Sequence, residues 1–374
     1  MLRQSNSIAV LSLLALFSSC SLQPDPLEVL KQNDNWVKQF GTSDNDGANS
    51  VAVDPSGNVY VTGSTYGALP GQKSSGDRDA FVRKYDSSGV ELSTQQFGTN
   101  KGDEANSVTT DSSGNIYIAG ITYGTLPSQE SLSKSDAFIR KYDPSGKEIW
   151  AKQFGTNEEA GAVSITTDPS GNVYVAGTTN GTLPGQTSSG GQDAFVRKYD
   201  SKGNQLWTQQ FGTNGVDVAN SATTDSKGNV YVTGLTDGAF PGQKLLGVND
   251  VYIKKYDSEG EEIWIKQFGT DGMDTAKSIA IDSSGNIYVA GETYGISALP
   301  KQTSFGRSDA FVRKYDSNGV ELLTKQFGTS GNDEAASLMT DPNGNTYVAG
   351  WINGTLPGQT NFGGYDAFLY KISP

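Results

Sequence analysis

Two repeated carboxylate positions and one set of aromatic rings are the residues of this chain whose types and spacing are suited to chemistry. Asp46, Asp103, Asp217, Asp274 and Asp333 share one slot, six residues after a recurring Phe, and the third copy has Ala160 there beside Glu159. Hard oxygen ligands at a fixed interval suit calcium. The plainer reading is an aspartate capping a turn. No D-x-D-x-D-G loop accompanies the slot, and Asp44-Asn45-Asp46-Gly47 is only a fragment of one. The expectation is therefore no cofactor and no metal, with calcium at those five aspartates as the weaker alternative. A second series, Asp79, Asp136, Asp193, Asp250, Asp309 and Asp366, is present in every copy. Identical residues in all copies read as backbone caps rather than as six active sites.

The aromatic set is less regular and so more informative. One loop slot holds Tyr66, Tyr123, Asn180, Asp237, Tyr294 and Asn353. Close by, Trp351 stands where the other copies have Ser64, Ile121, Thr178, Leu235 and Glu292. Exposed rings stack on sugars or anchor a protein partner, which makes Tyr66, Tyr123, Tyr294 and Trp351 the candidate ligand-binding residues. Loop packing is the competing use of the same rings. Trp36, Trp150, Trp207 and Trp264 share a different slot and read as packing.

Several chemistries are removed outright. The 374 residues include no His and one Cys. That excludes histidine acid–base work, Ser-His-Asp and Cys-His nucleophiles, His-ligated zinc and intramolecular disulfides. A net charge of −13 argues against nucleic acid as a partner. Arg83, Arg140, Arg197 and Arg313 lie in one repeated strand slot, so no arginine cluster is left for the loops. A two-carboxylate mechanism, in a hydrolase or lyase acting on an extracellular polymer, stays open as the alternative function. Nothing in the repeated set singles out one pair of acids for it, so no catalytic residue is nominated.

The elements that must position these residues are repeats. Phe-Gly-Thr begins at Phe40, Phe97, Phe154, Phe211, Phe268 and Phe327, at intervals of 57, 57, 57, 57 and 59. Four strand-like runs recur in each unit, at Ser50–Asp54, Asn58–Thr62, Ala80–Tyr85 and Glu91–Phe97 in the first copy. D-x-x-G joins the first pair and again the second, with the chemistry of tight hairpins. Six antiparallel four-stranded units predict an all-β fold, a six-bladed β-propeller over residues 36–374. Trp36–Thr42 matches a fourth strand, and Ala367–Ile372 matches a third. The N-terminal segment is thus expected to complete the last blade and close the ring, leaving no open edge. Closure would also make the aromatic copies five, six, one and two contiguous. Strand direction alternates, so both tight turns of a blade share one end and both long loops share the other. A binding site is expected on the long-loop face.

The segment A-x-S-V-x-x-D-x-x-G-N-x-Y-V-x-G, as Ala48–Gly63 and Ala105–Gly120, resembles the SBBP β-propeller repeats of bacterial secreted and surface proteins. The resemblance implies architecture and location, not one activity. The N-terminus carries an address. Arg3 precedes the apolar run Ile8–Phe17, too short to span a bilayer as a helix, and Phe17-Ser18-Ser19-Cys20 resembles a bacterial lipobox. That resemblance implies a signal peptide over residues 1–19, lipid on Cys20 and a polar tether over 20–35. The combined expectation is an exported, lipid-anchored monomer of the outer membrane or cell surface. It would bind an extracellular or envelope protein or glycan without catalysis.

Overall fold

Within each repeat, Val, Tyr and Phe alternate with small or polar residues, the pattern of short pleated strands. The computed structural model describes residues 36–373, and from Phe40 onward the chain forms one compact unit. In blade one the strands are Asp46–Val53, Val59–Thr65, Asp79–Tyr85 and Glu91–Phe97, each antiparallel to the next. Blades two to five repeat that order, with first strands Asp103–Thr110, Ala160–Thr167, Asp217–Thr224 and Met273–Ile281. The sixth sheet consists of Asp333–Thr340, Thr346–Ile352 and Asp366–Ile372. The chain is an all-β, six-bladed propeller of four-stranded antiparallel blades in which the sixth sheet has three strands. No described residue is helical.

The tight turns follow from their sequence. Asp54 accepts the Gly57 N–H at 2.9 Å on its backbone carbonyl, and Gly57 takes φ 84°, a left-handed conformation that glycine adopts without penalty. The first strand begins earlier than its sequence suggests, at Asp46 rather than Ser50. A bulge between Ala48 and Ser50 lets the polar stretch join the ladder. Opposite the bulge, Gly63 has no room for a Cβ against the Gly47 carbonyl, which explains the glycine that ends each V-x-G.

The core lies between blades. Tyr60, Ala80 and Val82 of blade one pack on Val108, Ile116 and Ile118 of blade two. The phenylalanine of Phe-Gly-Thr wedges into the next blade: Phe97 meets Phe138 edge-on at 6.0 Å, and the Arg140 guanidinium lies 4.3 Å from its ring centroid while pairing with Glu148 at 3.2 Å. Phe268 with Phe311, Arg313 and Glu321 repeats the set. Such edge-on pairs add about 0.5–1.5 kcal/mol beyond their buried area. The repeated arginine slot therefore serves packing between blades, as its position in the strand implied.

The two ends of the series differ from the expectation of a closed ring. Trp36–Thr42 forms no strand, and the sixth sheet stays three-stranded among the described residues. Val51 and Leu369 are 63% and 72% exposed, whereas Val108 and Val312 in the same slots are 5% and 0% exposed. Phe40 still packs on Phe81 at 5.5 Å, with the Arg83 guanidinium 4.1 Å from its ring, as Phe97 does one blade later. The physical difference is chain distance. A short hairpin delivers every fourth strand in blades one to five, whereas the expected partner of Asp366–Ile372 lies nearly the whole chain away, at a larger loop-closure cost. Along that last strand runs an open groove of about 540 Å³, lined by Ile352, Leu356, Phe362, Phe368 and Tyr370.

Candidate ligand-binding face

Strand order puts the loops between second and third strands at the same end as the links between blades. The two sets of loops are knitted together. Asp103 donates its N–H to the Arg78 carbonyl at 2.7 Å, and Tyr123 donates its N–H to the Gly102 carbonyl at 2.9 Å. Each long loop is also clipped to its own blade. Gln96 accepts the Leu69 N–H on Oε1 at 2.9 Å and donates from Nε2 to the Gly67 carbonyl and to Asp79, at 3.0 and 2.8 Å. Gln72 Oε1 accepts the Gln96 N–H at 3.0 Å. Leu69, 1% exposed, plugs the loop into the blade, as its place in Leu-Pro-Gly-Gln suggests. The glutamine clip escaped sequence reasoning. Its signal was the Gln before every Phe-Gly-Thr, from Gln39 to Gln326.

On this rigid base the nominated rings stand out. Tyr66, Tyr123 and Tyr294 are 50%, 44% and 43% exposed, and the Arg78 guanidinium lies 5.9 Å from the Tyr66 ring. Trp351 is half-buried and meets Tyr365 edge-on at 5.0 Å. Among the described residues no ring contact joins the four to one another. With the junction of blades six and one open, they fall into two groups, Tyr66 with Tyr123 and Tyr294 with Trp351, rather than into one arc. Trp150 and Trp207 are packing residues, as expected, and donate from Nε1 to the Ser201 and Ser258 carbonyls at 3.3 and 3.0 Å.

Tyr123 also lines a cavity of about 190 Å³ between blades two and three, with Asn106, Ile121, Glu159, Gly161 and Gln192. The third copy opens this space. Gly161, like Gly47 of the first copy, replaces the Glu104, Val218, Thr275 and Glu334 of the other four, and Ala160 alone replaces the aspartate. The pocket combines an aromatic face with amide and carboxylate groups, a chemistry suited to a hydroxylated ligand.

The acidic slot is not exposed on this face. Asp103, Asp217, Asp274 and Asp333 are fully buried where first strands begin, and only Asp46 is partly open. Each caps the Gly-Thr turn: Asp103 accepts the Thr99 N–H and hydroxyl on Oδ2, at 2.6 and 2.9 Å, and Asp46 accepts the Thr42 N–H at 2.6 Å. Burial pushes the carboxyls of Asp103, Asp217 and Asp333 above the usual range, and that of Asp274 up to about 7. Among the described residues no three His, Cys, Asp or Glu side chains gather as a metal would need. The lipid-attachment candidate Cys20, the signal peptide and the tether lie outside the described residues.

The SBBP beta-propeller repeat pattern matches residues 35–70, 93–126, 149–184, 206–241, 263–296 and 324–357, one match per blade. The chain belongs to the SBBP beta-propeller repeat family. The SBBP chain is 25% identical over 356 residues to the regulatory protein FlaEY of Caulobacter vibrioides, covering 82% of this chain and 36% of that protein. It is 26% identical over 262 residues to the uncharacterized WD repeat-containing protein L264 of Acanthamoeba polyphaga mimivirus, covering 55% of this chain and 19% of that one. It thus spans little more than a third of the first of these relatives and less than a fifth of the second. Among solved structures it is similar to the Pan2 WD40 domain of Neurospora crassa, with 11% identity, TM-score 0.46, and coverage of 81% of this chain and 75% of that one. A Bacteroides caccae protein of unknown function matches with 14% identity, TM-score 0.43, and coverage of 79% and 89%.

Proposed function

We propose that this SBBP propeller is an exported, non-catalytic binding or scaffold module of the bacterial envelope. Lipid on Cys20 holds it to the membrane, and its long-loop face engages an extracellular or envelope protein or a glycan. The observation that supports this reading is the repeated tyrosine slot. Tyr66, Tyr123 and Tyr294 remain 43–50% exposed on loops that glutamine clips hold still, while Tyr117, Tyr174 and Tyr231 in the strands are buried. Exposed aromatics on a rigid frame lose little entropy on binding. The name of the Caulobacter relative, a regulatory protein, agrees with a binding role. The repeated aspartates of the two series, from Asp79 to Asp333, are 0–1% exposed and out of reach of a polymer, so the carboxylate-based hydrolase or lyase gains no support from them.

The test is an array of glycans and matrix proteins probed with the full-length protein and with a Tyr66→Ala, Tyr123→Ala, Tyr294→Ala variant. Expected is a bound class for the natural protein, and at least a tenfold loss in the variant with an unchanged melting temperature. Binding that survives the triple change, or no binding to any class, refutes the role of this face.

A further inference from the structure

At four junctions between blades, two carboxylates from different blades meet across one glycine. The pairs are Asp79 with Asp103, Asp193 with Asp217, Asp250 with Asp274, and Asp309 with Asp333. A Cβ built on Gly269 would lie 2.6 Å from Asp250 Oδ1 and 2.6 Å from Asp274 Oδ2, and one on Gly328 would lie as close to Asp309 and Asp333. All eight side chains are 0–1% exposed. None belongs to an ion pair among the described residues; Arg78, nearest in sequence to the first pair, bonds Glu104 instead at 2.9 Å.

The donors at each junction are already used. Asp250 Oδ2 accepts the Leu246 N–H and the Gln267 amide at 2.9 Å each, and Asp274 Oδ2 accepts the Thr270 N–H and hydroxyl at 2.6 and 3.0 Å. The Oδ1 atoms of Asp79, Asp103, Asp193, Asp217, Asp250 and Asp309 are buried with no hydrogen-bond partner. Two ionised carboxylates buried against one glycine, with no salt bridge to either, are strongly disfavoured. Two free oxygens at the Asp79 and Asp193 junctions, and one at the Asp250 and Asp309 junctions, are too few for calcium, which takes six to eight. They suffice for one proton.

We propose that each of these four junctions binds a single proton shared by its two aspartates, so that the contacts between blades form a pH-sensitive latch. Protonated, a pair is an O–H···O bond that joins neighbouring blades. Ionised, it is a like-charge repulsion at the same place. The groups facing each pair are few. Asp103 faces Asp79, with Thr122 and Thr99 beside it; Asp217 faces Asp193, with Thr236 and Thr213 beside it and with Tyr252 and the cation Lys254 on the third strand of its own blade. Asp274 faces Asp250 and Asp271, and Asp333 faces Asp309. The second junction is a natural half-pair, Asp136 without a partner because Ala160 fills the slot.

Burial raises the Asp103, Asp217, Asp274 and Asp333 carboxyls in the folded state, Asp274 to about 7. The folded protein therefore holds protons that the unfolded chain releases near the ordinary carboxyl range. Stability is then greatest at acidic pH and falls as pH rises toward and through neutrality. With no His in the chain, few ordinary side chains titrate between about pH 5.5 and 8 to mask this. Glu292, raised by burial beside Lys277 and Glu334, is the one other raised carboxyl among the described residues and serves as control.

The experiment follows the unfolding midpoint of the full-length protein from about pH 5.5 to 8 at fixed ionic strength, with calcium or with EDTA. A midpoint that falls by several degrees toward pH 8 is expected. Asn at Asp103, Asp217, Asp274 and Asp333 together should flatten that slope, and Glu292→Gln should leave most of it. If the fourfold variant does not fold, Asp274→Asn alone should reduce the slope and weaken the infrared band of protonated carboxyl seen near pH 6. A flat natural profile, or a slope that survives the aspartate changes, overturns the proposal. A midpoint at pH 8 that calcium raises and EDTA lowers also overturns it, because the pairs would then hold a cation.

Discussion

Replacing Asp111 with alanine should cost far more than replacing Asp143, although both open a D-x-x-G turn of blade two. Asp111 accepts the Ser113 and Asn115 N–H groups at 2.9 Å each, the Asn115 amide at 2.8 Å and the Tyr117 hydroxyl at 2.9 Å. Tyr117 is 0% exposed. In the variant its hydroxyl is stranded in the core, which costs about 1–3 kcal/mol, while water replaces the carboxylate at the two turn N–H groups for about 0.5 kcal/mol each. The sum is about 3 kcal/mol, a lowering of the melting temperature by roughly 4 °C in a chain of this size. Asp143 holds the Ser145 and Lys147 N–H groups and the Ser145 hydroxyl, all at the surface, so its loss is a small fraction of that. Burial opposes ionisation of Asp111, yet its bonds from Asn115, Tyr117 and Ser113 outweigh burial and hold the carboxyl below the ordinary range. A lowered carboxyl stabilises above its unfolded range, and that contribution is lost as pH falls through the folded value, so the cost of Asp111→Ala should shrink in acid. Thermal unfolding by circular dichroism reads the difference. Adding Tyr117→Phe to Asp111→Ala should recover about 1–2 kcal/mol by removing the stranded hydroxyl. Equal losses at Asp111 and Asp143, or no recovery in the double variant, would refute the reasoning.

Phe40→Ala should lower stability by about 2–3 kcal/mol, less than a full core deletion because Phe40 is only partly buried; a loss below about 0.5 kcal/mol in urea unfolding would show that its contact with Phe81 and Arg83 does not hold in solution. Trp351→Ala should weaken binding of whatever ligand the array identifies by severalfold while costing no more than about 1–2 kcal/mol, since the ring is half-buried against Tyr365; a loss of about 3–5 kcal/mol would make it a core residue instead. Cys20→Ser should move the protein from the membrane fraction to the soluble one with its melting temperature unchanged, and mass spectrometry finding an unlipidated Cys20 would remove the anchor from the proposed function.

The candidate site divides along the same line as the fold. Exposed rings were legible at Tyr66, Tyr123 and Tyr294 because they interrupt a repeat, and a departure from repetition is visible in the letters alone. The pocket beside Tyr123 was not legible. Its opening depends on Gly161 in one blade facing Ile121 and Tyr123 in another, a meeting fixed by the rotation between blades. Nor was the pairing of the two aspartate series. Each read correctly as a cap in its own strand, and only the stacking of blades turned Asp250 and Asp274 toward the same glycine.

Repeat length, the order of four strands, the tight turns and the end of the blades that carries the long loops all follow from the sequence by itself. The forces behind them are local: alternation with a period of two, Asp and Gly at hairpin corners, and a short connection that makes neighbours pair. Tertiary structure decided what happens between units. It placed the core at the junctions, sent the arginines onto the phenylalanine rings and buried the acidic slot that the sequence left on a loop. It also left Val51 and Leu369 exposed at the two ends of the series, though their slots are identical to buried ones. A repeated residue has the same letter in every copy, but its environment is set by the blade beside it, and the first and last copies lack that neighbour.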